Sequence, residues 1–258
     1  MSFVSNGRYC WTDLFTTNFE GAQNFYSKAF GWNIEKSPEM PNYAFAKDGD
    51  QMICGFSIAD AGEASKHGLR DTFWGTYFYA DNFDGTFERA KELGATVVFP
   101  KTPVANFGHF ASFKDPSGSF FQIWNSADAG FKEEYTKKEQ GYFCWNELYS
   151  SNLDQSGKFY CDLFSYTPEN QDMGEFNYTI FKKGDDMFGG LLDVNIACGQ
   201  FPAEWLNYVY VNDLGKTGEA VNAAGGKMLV DQKEIPNRGF FSVYSDPFGA
   251  HIAAFKAL

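Results

Sequence analysis

The chain repeats itself halfway along its 258 residues, and an internal repeat restricts the possible architectures before any helix or strand is assigned. The segment CWTDLFTTNFEGAQNFYSKAFGW, Cys10 to Trp32, lines up without gaps on CWNELYSSNLDQSGKFYCDLFSY, Cys144 to Tyr166. YAFAKDGDQMICG (Tyr43 to Gly55) matches YTIFKKGDDMFGG (Tyr178 to Gly190), and FGHFASFKDPSG (Phe107 to Gly118) matches RGFFSVYSDPFG (Arg238 to Gly249). Three ordered matches at an offset of 131 to 135 residues mean a duplicated domain. The polar, aperiodic stretch NSADAGFKEEYTKKEQG between the copies reads as a linker. The expected domains are therefore 1–127 and 141–258, joined by 128–140.

Each half alternates strand and helix signals. Residues 8–16 alternate like a half-buried strand, and Asn18 can cap a helix whose apolar stripe is Ala22, Phe25, Tyr26, Ala29 and Phe30. Short strands follow near 31–37, 42–47 and 51–58, with Asp48-Gly49 as a turn. A second unit opens at Trp74 and continues through a helix from Phe83 to Leu93. It ends in strands near 95–100, 106–114 and 119–125, the last two joined by Asp-Pro-Ser-Gly. The other half offers the same two units, opening at 142 and 205, so the chain reads as α+β, four βαβββ units in two pairs.

The bulk numbers remove several functions. A net charge of −12 repels phosphate backbones and anionic lipid, so no nucleic-acid partner is expected. No apolar run approaches the roughly 20 residues of a membrane span. The start, MSFVSNGRYCWTD, has no signal pattern, so no membrane partner and a cytoplasmic location are expected. Cys10, Cys54, Cys144, Cys161 and Cys198 form no CxxC pair, which argues against structural zinc, and Cys10 and Cys144 read as small buried thiols. Aromatic residues make up 19% of the chain, so it has many rings to bury or a pocket to line with them.

Three features recur in register: the opening strand, the helix carrying Phe-Tyr, which Phe-Gly-Trp follows in the first copy, and the DPxG turn before each half's last strand. Together with the four βαβββ units they resemble the glyoxalase/bleomycin-resistance/dioxygenase, or vicinal oxygen chelate, superfamily. The resemblance covers nearly all of the chain. It implies two tandem domains, each an eight-stranded, open, cup-shaped sheet with helices outside and a ligand, or a metal where one exists, inside the cup.

The family's metal chemistry uses two or three His and a Glu, which leave a cation open positions for two substrate oxygens. The resemblance places the first of those ligands on Trp11 and Trp145 and the last on Gln122 and Ala253. The remaining two fall near Gly75 and Leu206, and near Cys54 and Gly189. None of the three His, His67, His109 and His251, stands at these places. The expected metal set is none, the expected cofactor is none, and metal-dependent glyoxalase or extradiol dioxygenase activity is not expected.

Residues two apart on a strand share a face. If Trp11 points into the first cup, so do Asp13 and Phe15, and the second copy contributes Trp145, Glu147 and Tyr149. The closing strands add Phe120, Gln122 and Trp124 to the first cup and His251, Ala253 and Phe255 to the second. Rings with one carboxylate suit a planar or cationic small molecule held by stacking, cation–π contact and a charge-assisted hydrogen bond.

Plainer roles compete for the same residues. Trp11 and Trp145 can fill collapsed cups, Asp13 and Glu147 can pair with an Arg such as Arg8, and His67 and His109 fit exposed positions. His251 with Glu147 can form an acid–base pair. Gly55, Gly189 and Gly190 fit close backbone approach better than a phosphate cradle. The leading expectation is a metal-free binding protein similar to the drug-sequestering members of the superfamily. The alternatives are a glyoxalase- or dioxygenase-type lyase, isomerase or oxidoreductase with an unrecognised metal site or metal-free acid–base chemistry, and a non-catalytic regulatory protein. A covalent duplication supplies in one chain the pairing that single domains obtain by dimerising, so a monomer is expected ahead of a homodimer.

Overall fold

The computed structural model describes residues 5–127, 136–174, 176–196 and 202–258; Cys198 and residues 128–135 of the expected linker lie outside the described residues. In the first half β1 (Tyr9–Thr16) leads through α1 (Phe19–Phe30) to β2 (Asn33–Lys36), β3 (Tyr43–Asp48) and β4 (Gln51–Ile58). A short α2 (Ala61–Lys66) precedes β5 (Thr72–Tyr79), α3 (Phe83–Glu92), β6 (Thr96–Val104), β7 (Gly108–Lys114) and β8 (Phe120–Ser126). The second half repeats this with β9 (Phe143–Ser150), α4 (Leu153–Phe164), β10 (Thr167–Asp172), β11 (Asn177–Lys183) and β12 (Asp186–Asp193). It closes with β13 (Glu204–Tyr210), α5 (Leu214–Ala223), β14 (Lys227–Ile235), β15 (Gly239–Ser245) and β16 (His251–Ala257).

The strands form two open eight-stranded sheets, one per half, in the orders β2-β3-β4-β1-β5-β8-β7-β6 and β10-β11-β12-β9-β13-β16-β15-β14. The expected pair of tandem βαβββ sheets is therefore observed. Helix α2 was not anticipated: it is six residues long and buries only Ala64, so no apolar stripe announces it, although Asp60 caps it by accepting from Glu63 N. Among the described residues no helix is long and apolar enough to cross a membrane.

Packing divides the chain differently from sheet membership. Two compact units emerge, and the cuts fall inside the four opening strands: after Trp11, Gly75, Trp145 and Trp205. Unit 1 joins the second βαβββ module of the first half to the first module of the second half, and in it α3 packs on α4. Unit 2 joins the other two modules, and in it α1 packs on α5. Residues 136–140 are tied into unit 2 rather than hanging free, since Lys137 N donates to Phe143 O and Gln140 Oε1 accepts from Asn212 N.

Both repeated motifs, Phe-Tyr and DPxG, serve the cores of these units. In unit 2 the fully buried Tyr26 hydroxyl donates to Asp246 Oδ2 at 3.1 Å and accepts the Trp74 indole N–H at 3.0 Å. Asp246 also closes its own turn, accepting from Phe248 N and Ala250 N. Burial first, then the Asp246 charge, holds the Tyr26 phenol well above the usual tyrosine range, and burial lifts Asp246 as well. Unit 1 repeats the arrangement: Tyr160 accepts the Trp205 indole N–H at 2.9 Å, and burial followed by the Asp115 charge raises Tyr160. Rings gather around each tyrosine. Trp32 stacks on Tyr26 at 5.7 Å, and Phe121 meets Tyr160 edge-on at 5.5 Å.

The repeat also exposes a local strain. Helix α1 ends on Gly31 at φ 74°, a left-handed position that glycine adopts freely, whereas α4 ends on Ser165 at φ 59°. Ser165→Gly should raise stability by about 1 kcal/mol in urea unfolding, by removing the Cβ clash of that conformation. Tyr26→Phe should lower it by about 2–3 kcal/mol, because Asp246 and Trp74 each lose a buried partner that no water replaces.

Candidate functional site

Burial confirms which strand face looks toward the helices. In β1, Thr12, Leu14 and Thr16 are fully buried, while Trp11 and Phe15 are half-buried and Asp13 is 5% exposed. In β8, Phe121 stacks on Phe113 and meets Phe159 of α4, so Phe121 and Ile123 face the helices; Phe120, Gln122 and Trp124 face away. In β9 and β16 the same alternation turns Trp145, Glu147 and Tyr149, and His251, Ala253 and Phe255, away from the helices. The units divide these residues. Trp11, Phe120, Gln122, Trp124, Glu147 and Tyr149 belong to unit 1; Asp13, Phe15, Trp145, His251, Ala253 and Phe255 belong to unit 2.

In unit 2, Asp13 pairs in register with Gly55 of β4, and the Tyr43 hydroxyl from β3 donates to Asp13 Oδ1 at 2.5 Å. That is the length of a hydrogen bond to an ionised oxygen. Only a residue without a Cβ fits at 55, because one there would overlap both the Tyr43 hydroxyl and the Asp13 carboxylate. Beside this pair Phe15 stacks on Phe73, centroids 5.1 Å apart and planes 20° from parallel. Unit 1 builds the counterpart from the other copy. Glu147, 7% exposed, pairs in register with Gly190, and a Cβ at 190 would overlap the Tyr178 hydroxyl.

Two expectations change here. The ligand position expected near Cys54 and Gly189 lies one residue later: Phe56, two residues beyond Cys54, packs on Tyr26 of α1, so Cys54 faces the helices and Gly55 faces away. Likewise Gly189 approaches Asn146 and Trp205, whereas Gly190 lies under Tyr178. Arg8, considered as a partner for Asp13 or Glu147, instead pairs with Asp186 at 3.3 Å and lies 4.5 Å over the Phe188 ring.

The remaining strands carry an aromatic frame in both copies. In unit 1, Tyr77 and Ser112 flank Gln122, and Tyr79 and Phe110 flank Trp124. The Ser112 hydroxyl donates to Gln122 Oε1 at 2.8 Å, and the Tyr77 and Phe110 rings lie 6.3 Å apart. In unit 2, Tyr208 and Val243 flank Ala253, and Tyr210 and Phe241 flank Phe255, with Tyr208 and Phe241 centroids 5.9 Å apart. The rings recur but the polar centre does not.

His251 Nδ1 lies 3.4 Å from Arg70 Nη1, which also donates to Gly249 O. A guanidinium offers donors only, so Nδ1 is the acceptor and a neutral ring carries its proton on Nε2. Cys10 and Cys144 are equivalent in the fold as well as in sequence, their thiols pointing at Tyr77 O and Tyr208 O, with burial pushing Cys144 up to about 12. Among the described residues no three His, Cys, Asp or Glu side chains gather into a group able to hold a metal ion. An open groove of about 440 Å³ lies away from these faces, lined by residues that include Phe30, Asp48, Ile53 and Lys216.

Tyr43 and Tyr178 are the site residues that a search for ligand types overlooks. Their signal was present in the repeat, where Tyr43 aligns with Tyr178 and Gly55 with Gly190.

Comparison with known proteins agrees with this geometry. The model of the Glyoxalase/Bleomycin resistance protein/Dioxygenase superfamily matches residues 8–123. A protein named putative glyoxylase CFP32 from Mycobacterium tuberculosis is 28% identical over 251 residues, covering 95% of this chain and 93% of its own. The anthracycline biosynthesis protein DauV of Streptomyces sp. is 25% identical over 134 residues, covering 47% of this chain and 49% of its own. Among solved structures, a Mn(II)-bound glyoxalase from Novosphingobium aromaticivorans superposes with a TM-score of 0.66 at 15% identity, over 99% of this chain and 83% of its own. The 2,3-dioxygenase LapB from Pseudomonas sp. KL28 gives 0.61 at 13% identity, over 98% and 93%. With these matches, residues 8–123 fit the model of the glyoxalase/bleomycin-resistance/dioxygenase superfamily, and the duplicated βαβββ sheets share the fold of the solved glyoxalase and dioxygenase structures.

Proposed function

We propose that this chain binds a small aromatic or cationic molecule without a metal, on the sheet faces turned away from the helices. The observation that carries the proposal is a buried carboxylate in register with a glycine in both copies: Asp13 with Gly55 in unit 2, where the Tyr43 hydroxyl donates to it, and Glu147 with Gly190 in unit 1. A carboxylate attracts a cation and accepts charge-assisted hydrogen bonds from its N–H groups. The Phe15–Phe73 stack in unit 2 and Tyr149 in unit 1 add flat surface for stacking and cation–π attraction.

The side chains at the superfamily's ligand positions do not fit a divalent cation. Indoles stand at 11 and 145, a methyl group at 253 and backbone hydrogens at 55 and 190, while the Gln122 oxygen already accepts from Ser112. The names of the mycobacterial relative and of the manganese-bound glyoxalase carry the rival reading, a metal-dependent lyase or oxygenase.

Two measurements separate them. Titration calorimetry with (2-naphthyl)methylammonium should show saturable binding that Asp13→Asn or Glu147→Gln weakens about tenfold or more, the loss of one charge-assisted hydrogen bond. Elemental analysis of protein purified without chelator should find no stoichiometric iron, manganese, nickel or zinc; a tightly held ion at one per sheet would install the metal-dependent enzyme in place of this reading.

A further inference from the structure

We infer that the Gln122 amide is an anchoring donor for an acceptor oxygen, carboxylate or carbonyl, carried by a flat aromatic ligand on the unit 1 face. The inference rests on the reading of these faces as binding surfaces and specifies the ligand class of one of them.

Gln122 is fully buried, yet only its oxygen is engaged: Nε2 is buried with no hydrogen-bond partner. A buried amide N–H without an acceptor costs free energy in every folded molecule. The second copy shows that the fold does not require this expense. At the equivalent place Ala253 stands opposite Val243, both fully buried, inside the same frame of tyrosines and phenylalanines. A methyl and an isopropyl group fill that space with nothing unpaired, so the Gln122–Ser112 pair is not demanded by packing.

The surroundings specify what could complete it. Tyr77 and Ser112 flank the amide, and the next row on the same face presents Phe110 and Trp124, both only half-buried. The unpaired atom is a donor, and in the equivalent position of the other copy nothing polar exists to compete. A planar ring lying on Phe110 and Trp124 would carry its oxygen toward Nε2, replacing an unmade hydrogen bond with a made one. The partner is thus an aromatic acid or ketone rather than an amine. Its site is the first sheet, not the second.

The test uses the full chain and two probes of matched shape and opposite demand, 2-naphthoate and (2-naphthyl)methylammonium, in parallel calorimetric titrations. 2-Naphthoate should bind the wild type saturably, and Gln122→Met, which keeps length and removes the amide, should weaken it about tenfold to a hundredfold. The thermal midpoint of free Gln122→Met combined with Ser112→Val, which removes both partners as the second copy does, should hold or rise, because an orphaned donor has gone. Equal binding by wild type and variant, or no binding of 2-naphthoate to the wild type, overturns the inference. A lower midpoint with unchanged binding also overturns it, by assigning the amide to the fold. If the ammonium probe binds through Asp13 while 2-naphthoate is silent, this inference fails and the carboxylate reading stands; if 2-naphthoate alone binds through Gln122, the outcome is reversed.

Discussion

The buried pairing of Tyr26 with Asp246, and of Tyr160 beside Asp115, is the constraint on which the rest of the structure hangs. Each tyrosine comes from the Phe-Tyr end of a helix and each aspartate from a DPxG turn, and the two always come from different halves of the sequence. A phenol and a carboxyl taken out of water cost several kcal/mol between them unless each is satisfied. Here the indole of Trp74 or Trp205 and the turn's own backbone N–H groups complete the set. Burial outweighs those N–H groups and raises both aspartates. The Phe-Tyr and DPxG motifs are therefore structural fasteners, remote in role from the sheet faces turned away from the helices.

On those faces two layers of design are visible. One is shared by both copies: a carboxylate in register with a glycine, and a frame made by Tyr77 and Phe110 or by Tyr208 and Phe241. The other differs, with Gln122 and Ser112 on one side against Ala253 and Val243 on the other. The rings are thus common to the two faces, and the polar centre is what distinguishes them.

Much of this was legible before any coordinate. Strand and helix limits follow from alternation, from the caps Asn18 and Asn152 and from the turn residues, and two-residue parity alone assigned Trp11, Asp13, Phe15, Gln122 and Trp124 to one face. What escaped has physical reasons. Helix α2 lies over polar residues with no stripe to read. The one-residue error at Cys54 arose in a strand where 53 to 56 are all buried, and where β3 carries a bulge beside Lys47, so alternation gives no phase. The Tyr26–Asp246 fastener joins residues 220 positions apart in the chain, a distance no local pattern reports.

One consequence follows from where those fasteners run. The first half owns Tyr26 and Asp115, the second Tyr160 and Asp246, so each half carries one complete set of complementary parts and spends them on its sibling. Two identical copies of such a domain could satisfy each other symmetrically, but symmetry would oblige every substitution to occur twice. Fusing the genes lifts that obligation. A change such as glutamine on one side and alanine on the other becomes possible within one chain, whose two faces can then diverge independently.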